Sequence, residues 1–190
     1  MISAPNQKKI IAIRYGDYSD KESLIEDALI SLGVCHYRID KTPKGSPEIL
    51  VLDPDSGHVK DKIWISITHS YSFFGLSKTA KVAIALSTFC PIGIDMERQT
   101  RKIGIKPSRI LSKEELRVYN SCIGEVDDES LNSLMIMFWT MKEARLKARG
   151  TGINTSLAGC CSIEEMNRSK IKMFRKDDFV VSIYIGEYNT

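Results

Sequence analysis

Two carboxylates of the sequence lie close together on a predicted strand. Side chains alternate along residues 91–97, so Asp95 and Glu97 point to the same face as Gly93, and the other face carries Ile92, Ile94 and Met96. Like charges this close raise each other's pKa unless a cation lies between them. The pair therefore indicates a metal, an arginine or open solvent, and a solvated strand end is the ordinary alternative.

A third carboxylate follows on a predicted helix over residues 131–149. Met135, Trp139, Glu143 and Lys147 recur every four residues, which places them along one line of the helix surface. Glu143 thus continues an apolar stripe. It is either half of an ordinary Glu–Lys pair on a wet face or a carboxylate placed as a ligand.

Asp95, Glu97 and Glu143 have no His or Cys beside them, and an all-oxygen set of this kind suits Mg²⁺ better than zinc or copper. Magnesium in turn suggests phosphate chemistry. The same helix ends in a group of cations, which would either hold phosphates or compensate the helix dipole: Lys142, Arg145, Lys147 and Arg149.

A polar cluster ends an alternating strand upstream, where His69 stands between hydroxyl-bearing residues in Ser66-Ile67-Thr68-His69-Ser70. A lone histidine is usually structural. With a hydroxyl on either side it becomes a candidate anion site, because imidazole, hydroxyls and strand-end amides can all donate hydrogen bonds.

The elements that must position these residues can be predicted from periodicity and punctuation. A strand over residues 10–13 leads into a helix over 23–32, and residues 40–62, which hold three prolines and two glycines, are expected to be mostly turn and loop. Strands over 63–68, 82–86 and 92–97 look like a meander. A capping box at Ser112–Glu115 opens a helix, Gly150 ends the long one, and strands over 171–174 and 179–185 form a closing hairpin. The halves meet near residue 90.

Composition limits the class of protein. The 190 residues carry 27 Lys and Arg against 24 Asp and Glu, and a net charge of +3 does not by itself favour nucleic acid or an anionic membrane. Five cysteines without C-x-x-C spacing predict reduced thiols. With neither an apolar leader nor a membrane-length apolar run, the expectation is a cytoplasmic protein.

These motifs, in this order, resemble the 4′-phosphopantetheinyl transferase superfamily in its longer single-chain, surfactin-synthetase-activating type. Gly45-Ser46-Pro47 resembles the family's Gly-Lys-Pro turn, with Lys44 taking the place of the lysine, and Thr68-His69-Ser70 its Ser-His-Ser segment. The strand resembles Gly-x-Asp-x-Glu, and the helix that carries Glu143 resembles Trp-x-x-Lys-Glu-x-x-x-Lys.

The resemblance implies an α+β fold of two similar α/β subdomains related by a pseudo-twofold axis, each an antiparallel sheet packed with a long helix. The subdomains would span residues 1–90 and 91–190, with the metal site in the second. It also implies a monomer that takes coenzyme A in the cleft between them. The implied metal ligands are Asp95, Glu97, Glu143 and the Met96 carbonyl. The implied coenzyme A contacts are Lys44, Gly45, Ser46, Pro47, Thr68, His69, Lys142 and Lys147.

The implied reaction moves 4′-phosphopantetheine from coenzyme A to a serine of an apo acyl or peptidyl carrier protein in fatty-acid, polyketide or nonribosomal peptide biosynthesis. Glu143 would take the serine proton and Lys147 would stabilise the leaving phosphate, with Mg²⁺ as the cofactor. One alternative is a non-catalytic protein that binds coenzyme A or the carrier. The other is a metal-dependent nuclease, against which the helical Glu-to-Lys spacing and weak net charge argue.

Overall fold

Two antiparallel sheets form the centre of the protein in a computed structural model that describes residues 9–43, 45–74, 77–151 and 157–187. The first sheet has the order β1-β5-β4-β3-β2 and the second β6-β8-β7. The strands of the first are β1 Ile11–Asp17, β2 Tyr37–Lys41, β3 Pro47–Leu52, β4 Val59–Phe74 and β5 Ser77–Ser87; those of the second are β6 Ile92–Arg98, β7 Ile171–Lys176 and β8 Phe179–Ile185.

Helices cover the outer face of each sheet. Five lie in the described ranges: α1 Lys21–Ser31, α2 Pro107–Ile110, α3 Lys113–Cys122, α4 Asp128–Arg149 and α5 Ser162–Asn167. Helix α1 packs Ile25, Ala28 and Leu29 against the first sheet, and α4 packs a longer apolar face against the second. The protein is therefore an α+β fold of two antiparallel sheets packed against helices.

The inner faces of the two sheets share one apolar core. It joins Ala83 and Ala85 of β5 to residues of the second sheet that are at most 3 % exposed: Ile92, Ile94, Met96, Phe179, Val181 and Ile183. The predicted alternation of β6 is confirmed, since its apolar residues face this core. Gly93, Asp95 and Glu97 are left for the opposite face, toward α4.

Backbone meets backbone where β6 crosses α4. A Cβ atom at Gly93 would lie 1.8 Å from the carbonyl oxygen of Ala144 and 2.7 Å from the amide nitrogen of Ala148. Only glycine permits this approach. The contact brings α4 directly against the strand that carries Asp95.

A second contact joins β6 to the first sheet, through side chains instead of a backbone ladder. The amide of Ile94 donates to the Ser66 hydroxyl at 3.0 Å, and two further hydroxyls of β4, from Thr68 and Ser70, donate to Asp95 and Glu97. These β4 residues point away from α1 because they alternate with Ile63, Ile65 and Ile67.

A buried ion pair fixes the rotation of α4. Lys142 is 1 % exposed and lies 2.7 Å from Glu115, which is completely buried. Its ammonium also donates to the carbonyls of Leu157 and Cys160. Glu115 completes the predicted capping box of α3 with Ser112 and accepts from the amide of Ser162, so one carboxylate joins α3, α4 and α5.

The ends of α4 follow ordinary capping rules. Asp127 accepts a hydrogen bond from the Ser130 amide at 2.7 Å, and Gly150 ends the helix in the left-handed region, with φ of 60°. The predicted helix stop is confirmed. So is the closing hairpin, which turns at Asp177 and Asp178 between β7 and β8.

Two expectations about the strands are wrong. Residues 40–62 contain all of β3 and the beginning of β4, because the apolar run Ile49–Leu52 pairs on both sides although Pro47 precedes it. A proline at a strand's first residue costs little. The three predicted central strands also do not form a meander: β4 and β5 pair, whereas β6 belongs to the second sheet.

The first sheet lies entirely before residue 90 and the second entirely after it. Two subdomains bounded there, and a pseudo-twofold relation between them, remain predictions. Within the described ranges, none of the helices combines the length and the apolar composition needed to cross a bilayer.

The contact at Gly93 generates the first prediction. Gly93→Ala should destabilise the protein by about 3 kcal/mol, since the new methyl group collides with rigid backbone. Chemical denaturation would measure the loss. Gly104→Ala is the matched control, because an added Cβ there meets nothing within 4 Å; equal stability of the two variants would contradict the close contact.

The buried pair generates the second prediction. Lys142→Met should lower the free energy of unfolding by about 3–5 kcal/mol, because it leaves the Glu115 carboxylate buried without its cation. Lys113→Met removes an exposed lysine from α3 and should cost much less. Parallel thermal melts compare them, and a Lys142 variant as stable as the Lys113 variant would refute the structural role of Lys142.

Candidate active site

Asp95 is the most enclosed of the three predicted metal-binding carboxylates. It is 5 % exposed, and its Oδ1 accepts hydrogen bonds from the Thr68 hydroxyl at 3.1 Å and from Lys147 Nζ at 2.7 Å. Its Oδ2 is buried and has no hydrogen-bond partner among the described residues. A buried carboxylate oxygen left in this state is costly, so it marks a position for a cation or donor.

Glu143 belongs to α4, faces Asp95 of β6 and is 9 % exposed. Burial raises the pKa of its carboxyl group, and the Asp95 charge raises it further, while Lys147 and Arg101 act in the opposite direction. Its Oε1 is also buried without a partner in the described part of the chain. Two unpartnered oxygens and a mutual repulsion favour a cation between the two groups.

Glu97 completes the predicted trio at the edge of the site, where its side chain is 12 % exposed. Its Oε1 accepts from the Arg101 guanidinium, and its Oε2 accepts from the Ser70 hydroxyl at 3.4 Å. The Arg101 guanidinium lies 5.9 Å from the ring centre of Trp139, one turn before Glu143 on α4. The sequence indicated a metal, an arginine or open solvent beside the Asp95 and Glu97 pair, and an arginine is present at Glu97.

These carboxylates fit a magnesium ion by their chemistry. Their donors are all oxygens, and two of those oxygens are buried and unpartnered. The ligand atoms of the three site carboxylates are not all within 4.8 Å of one another. In the described ranges only one group of His, Cys, Asp or Glu side chains meets that distance, and it lies elsewhere: Glu114, Cys161 and Glu164. Met96 is 1 % exposed and its side chain lies in the intersheet core, which leaves only its carbonyl as a possible ligand.

The structure separates Thr68 from His69, because neighbouring strand residues point to opposite faces. Thr68 is 4 % exposed and contacts Asp95, while His69 is exposed and lies against Tyr18 and Tyr71, with ring centres 5.2 and 6.0 Å away. A cavity of about 490 Å³ nevertheless reaches from His69 to the carboxylate site. Its lining is His69, Ser70, Tyr71, Glu97, Arg98, Thr100 and Arg101.

The Gly45 turn lies at a second cavity, on the other side of the site. Gly45, between β2 and β3, has φ of 81° and donates to the Thr42 carbonyl at 2.8 Å. Lys44 lies outside the described residues. Ser46 and Pro47 line a cavity of about 350 Å³ together with Trp64, Lys147 and Arg149. Lys147 thus reaches both this cavity and Asp95.

Two of the predicted helix cations are placed elsewhere. Lys142, expected to hold phosphate, is held by Glu115 and two carbonyls on the other side of α4 and has no access to either cavity. Lys142 precedes Glu143 by one residue, and one step along a helix rotates the side-chain direction by about 100°. The two side chains therefore point to different sides of α4. Arg145 lies 3.5 Å from Glu165. Lys147 and Arg149 remain as phosphate-binding candidates.

Sequence reasoning missed Arg101 and Glu115. Arg101 follows Glu97 by four residues, but β6 ends between them, so helical spacing could not indicate the pair. Glu115 was recognised only as a capping residue. A capping box uses one hydrogen bond of the Glu115 carboxylate, and the carboxylate can accept several. The remaining acceptor positions were the available signal for a cation nearby.

Comparison with known protein families gives a match to the half of the chain that carries the carboxylates. A family model described as the 4′-phosphopantetheinyl transferase superfamily matches residues 91–189, which include β6, α4 and all three carboxylates. No curated protein sequence matches the chain. The match covers more than half of the 190 residues. The chain belongs to the 4′-phosphopantetheinyl transferase superfamily.

Proposed function

We propose that the protein transfers 4′-phosphopantetheine from coenzyme A to a serine of an apo acyl or peptidyl carrier protein and releases adenosine 3′,5′-bisphosphate. One observation carries the proposal: Asp95 and Glu143 present buried oxygens that have no partner in the described part of the chain, beside Lys147 and inside the segment that the family model matches. Membership of the superfamily supplies the reaction class.

Asp95, Glu97 and Glu143 would hold Mg²⁺, with the Met96 carbonyl as a further ligand. The ion, when bound, would neutralise the charge of the coenzyme A diphosphate. Thr68 supports this set by fixing the Asp95 carboxylate from the first sheet. Asp95 would therefore be oriented before any substrate arrives, and positioning of this kind supplies much of the rate gain in phosphoryl transfer.

The two cavities supply room for coenzyme A on either side of the carboxylates. The cavity beside Ser46 and Pro47 would take the adenosine end, with the Gly45 turn as its wall. The 3′-phosphate is carried by the ribose of that end, so it would lie in the same cavity, where Arg149 is a nearby cation. His69 is exposed at the other cavity and would face a different part of coenzyme A. Lys147 lies between the first cavity and Asp95, so its ammonium is the group placed to contact the diphosphate.

The serine oxygen of the carrier would attack the β-phosphorus of coenzyme A as the bond from that phosphorus to the bridging oxygen breaks. Glu143 is the proposed base for the serine proton, since its raised pKa makes it a better acceptor than an ordinary carboxylate. The Lys147 ammonium would stabilise the charge that develops on the leaving α-phosphate. No covalent bond to the protein is needed.

The direct test is to incubate the protein with coenzyme A, Mg²⁺ and a panel of apo carrier proteins and to weigh the carriers by mass spectrometry. A loaded carrier gains the mass of phosphopantetheine. EDTA should abolish loading, and added Mg²⁺ should restore it, because the donor set is all oxygen. Full loading after exhaustive chelation would remove the metal from this mechanism.

A substitution of Glu143 separates function from folding. Glu143→Gln should slow carrier loading by roughly 10²-fold or more, because the base and one metal oxygen are lost. Stability should not fall. A raised pKa in the folded protein means that Glu143 favours folding below its unfolded pKa and that this contribution is lost as pH rises through the folded pKa, so near neutral pH the charged carboxylate opposes folding.

A thermal melt beside a loading time course, both near pH 7.5, measures the two effects. Glu26→Gln is the control, since Glu26 is an exposed glutamate on α1. A Glu143 variant that melts like the parent and loads carrier within about threefold of its rate would defeat the assignment, because a lost general base costs far more than that.

A further inference from the structure

Two cations already occupy the carboxylate site. Lys147 lies 2.7 Å from Asp95, and Arg101 pairs with Glu97. The Lys147 and Arg101 side chains are 31 % and 47 % exposed, so each reaches in from solvent to a more buried acid. Asp95 Oδ2 and Glu143 Oε1 still have no partner among the described residues.

The charges of this arrangement decide what it attracts. These three carboxylates and two cations together carry one net negative charge, which repels the diphosphate of coenzyme A. A divalent cation reverses that sign. It would also compete with Lys147 and Arg101 for the oxygens of Asp95 and Glu97, because these cations occupy acceptor positions that the metal needs.

We propose that Lys147 and Arg101 neutralise the metal-free site and are released when Mg²⁺ binds, so that the metal creates the cation pair that then holds the diphosphate. This inference rests on the proposed function. It makes Arg101 a positioning residue for substrate and makes the binding of Mg²⁺ and of coenzyme A mutually reinforcing, by the reciprocity that links two ligands of one protein.

Arg101 is placed for such an exchange. It follows the end of β6, outside any helix or strand, and lines the cavity of about 490 Å³ that also contains His69 and Ser70. The ring of Trp139 lies 5.9 Å from its guanidinium. That contact holds the charge beside α4 after Glu97 is released, because an aromatic face attracts a guanidinium.

The experiment measures metal affinity without turnover. Calorimetric titration of Mg²⁺ into the parent protein and Arg101→Gln, with no carrier present, should show tighter binding by the variant, by about fivefold or more, because a competing cation is gone. A purely structural role for Arg101 would weaken metal binding instead. Arg98→Gln is the matched control, since Arg98 ends β6 but pairs with Asp178 at 2.7 Å.

The same titration with saturating coenzyme A measures the coupling. Coenzyme A should tighten Mg²⁺ binding in the parent and do so by a smaller factor in Arg101→Gln, which cannot supply the released guanidinium. Arg101→Ala should behave in the same way. Because Arg101 is nearly half exposed, neither variant should lose its fold, and a thermal melt verifies this.

The outcomes separate this inference from the proposed function. If the parent loads carrier with Mg²⁺ but Arg101→Gln binds Mg²⁺ no more tightly, or Arg98→Gln gains as much, the exchange is refuted and the transferase remains. If the parent binds neither Mg²⁺ nor coenzyme A and loads no carrier in the panel, both fail together.

Discussion

The candidate site depends on one contact, the approach of β6 to α4 at Gly93. Because no side chain separates the strand from the carbonyl of Ala144, the next residue on that face, Asp95, comes level with Glu143 and Lys147. A wider spacing would leave two carboxylates facing separate volumes of solvent. The glycine in the Gly-x-Asp-x-Glu pattern thus sets the distance between the strand and the helix that carry the carboxylates.

The first sheet contributes to the same site through hydroxyl groups. Ser66 holds the free edge of β6, Thr68 fixes Asp95 and Ser70 reaches Glu97, so β4 supplies a polar partner at each alternate position along the strand. The family match begins at residue 91 and includes none of the three. The carboxylates therefore come from one half of the chain, while part of what orients them comes from the other.

Much of this arrangement could be predicted because it follows from periodicity. The alternation of β6 and the four-residue spacing of Glu143 and Lys147 determine which side chains share a face, and the structure agrees. The direction of the neighbouring side chains could not be predicted. Lys142 carries the same charge as Lys147, yet its ammonium forms a buried ion pair with Glu115 on α3. Arg101 was missed since its pairing depends on how the chain turns after β6. Strand β3 was missed since the prolines and glycines of the surrounding segment, residues 40–62, outweighed a short apolar run.

The buried position of Lys142 changes what the Lys-Glu-x-x-x-Lys pattern means when relatives are compared. Its two lysines have different roles, because Lys142 sets the angle at which the helix presents its neighbours, whereas Lys147 faces Asp95 in the candidate site. A relative that drifted toward a purely binding role would be free to lose the second while selection for a folded chain kept the first. Retention of the first lysine alone is therefore a record of inherited architecture and says nothing about whether the chemistry survives.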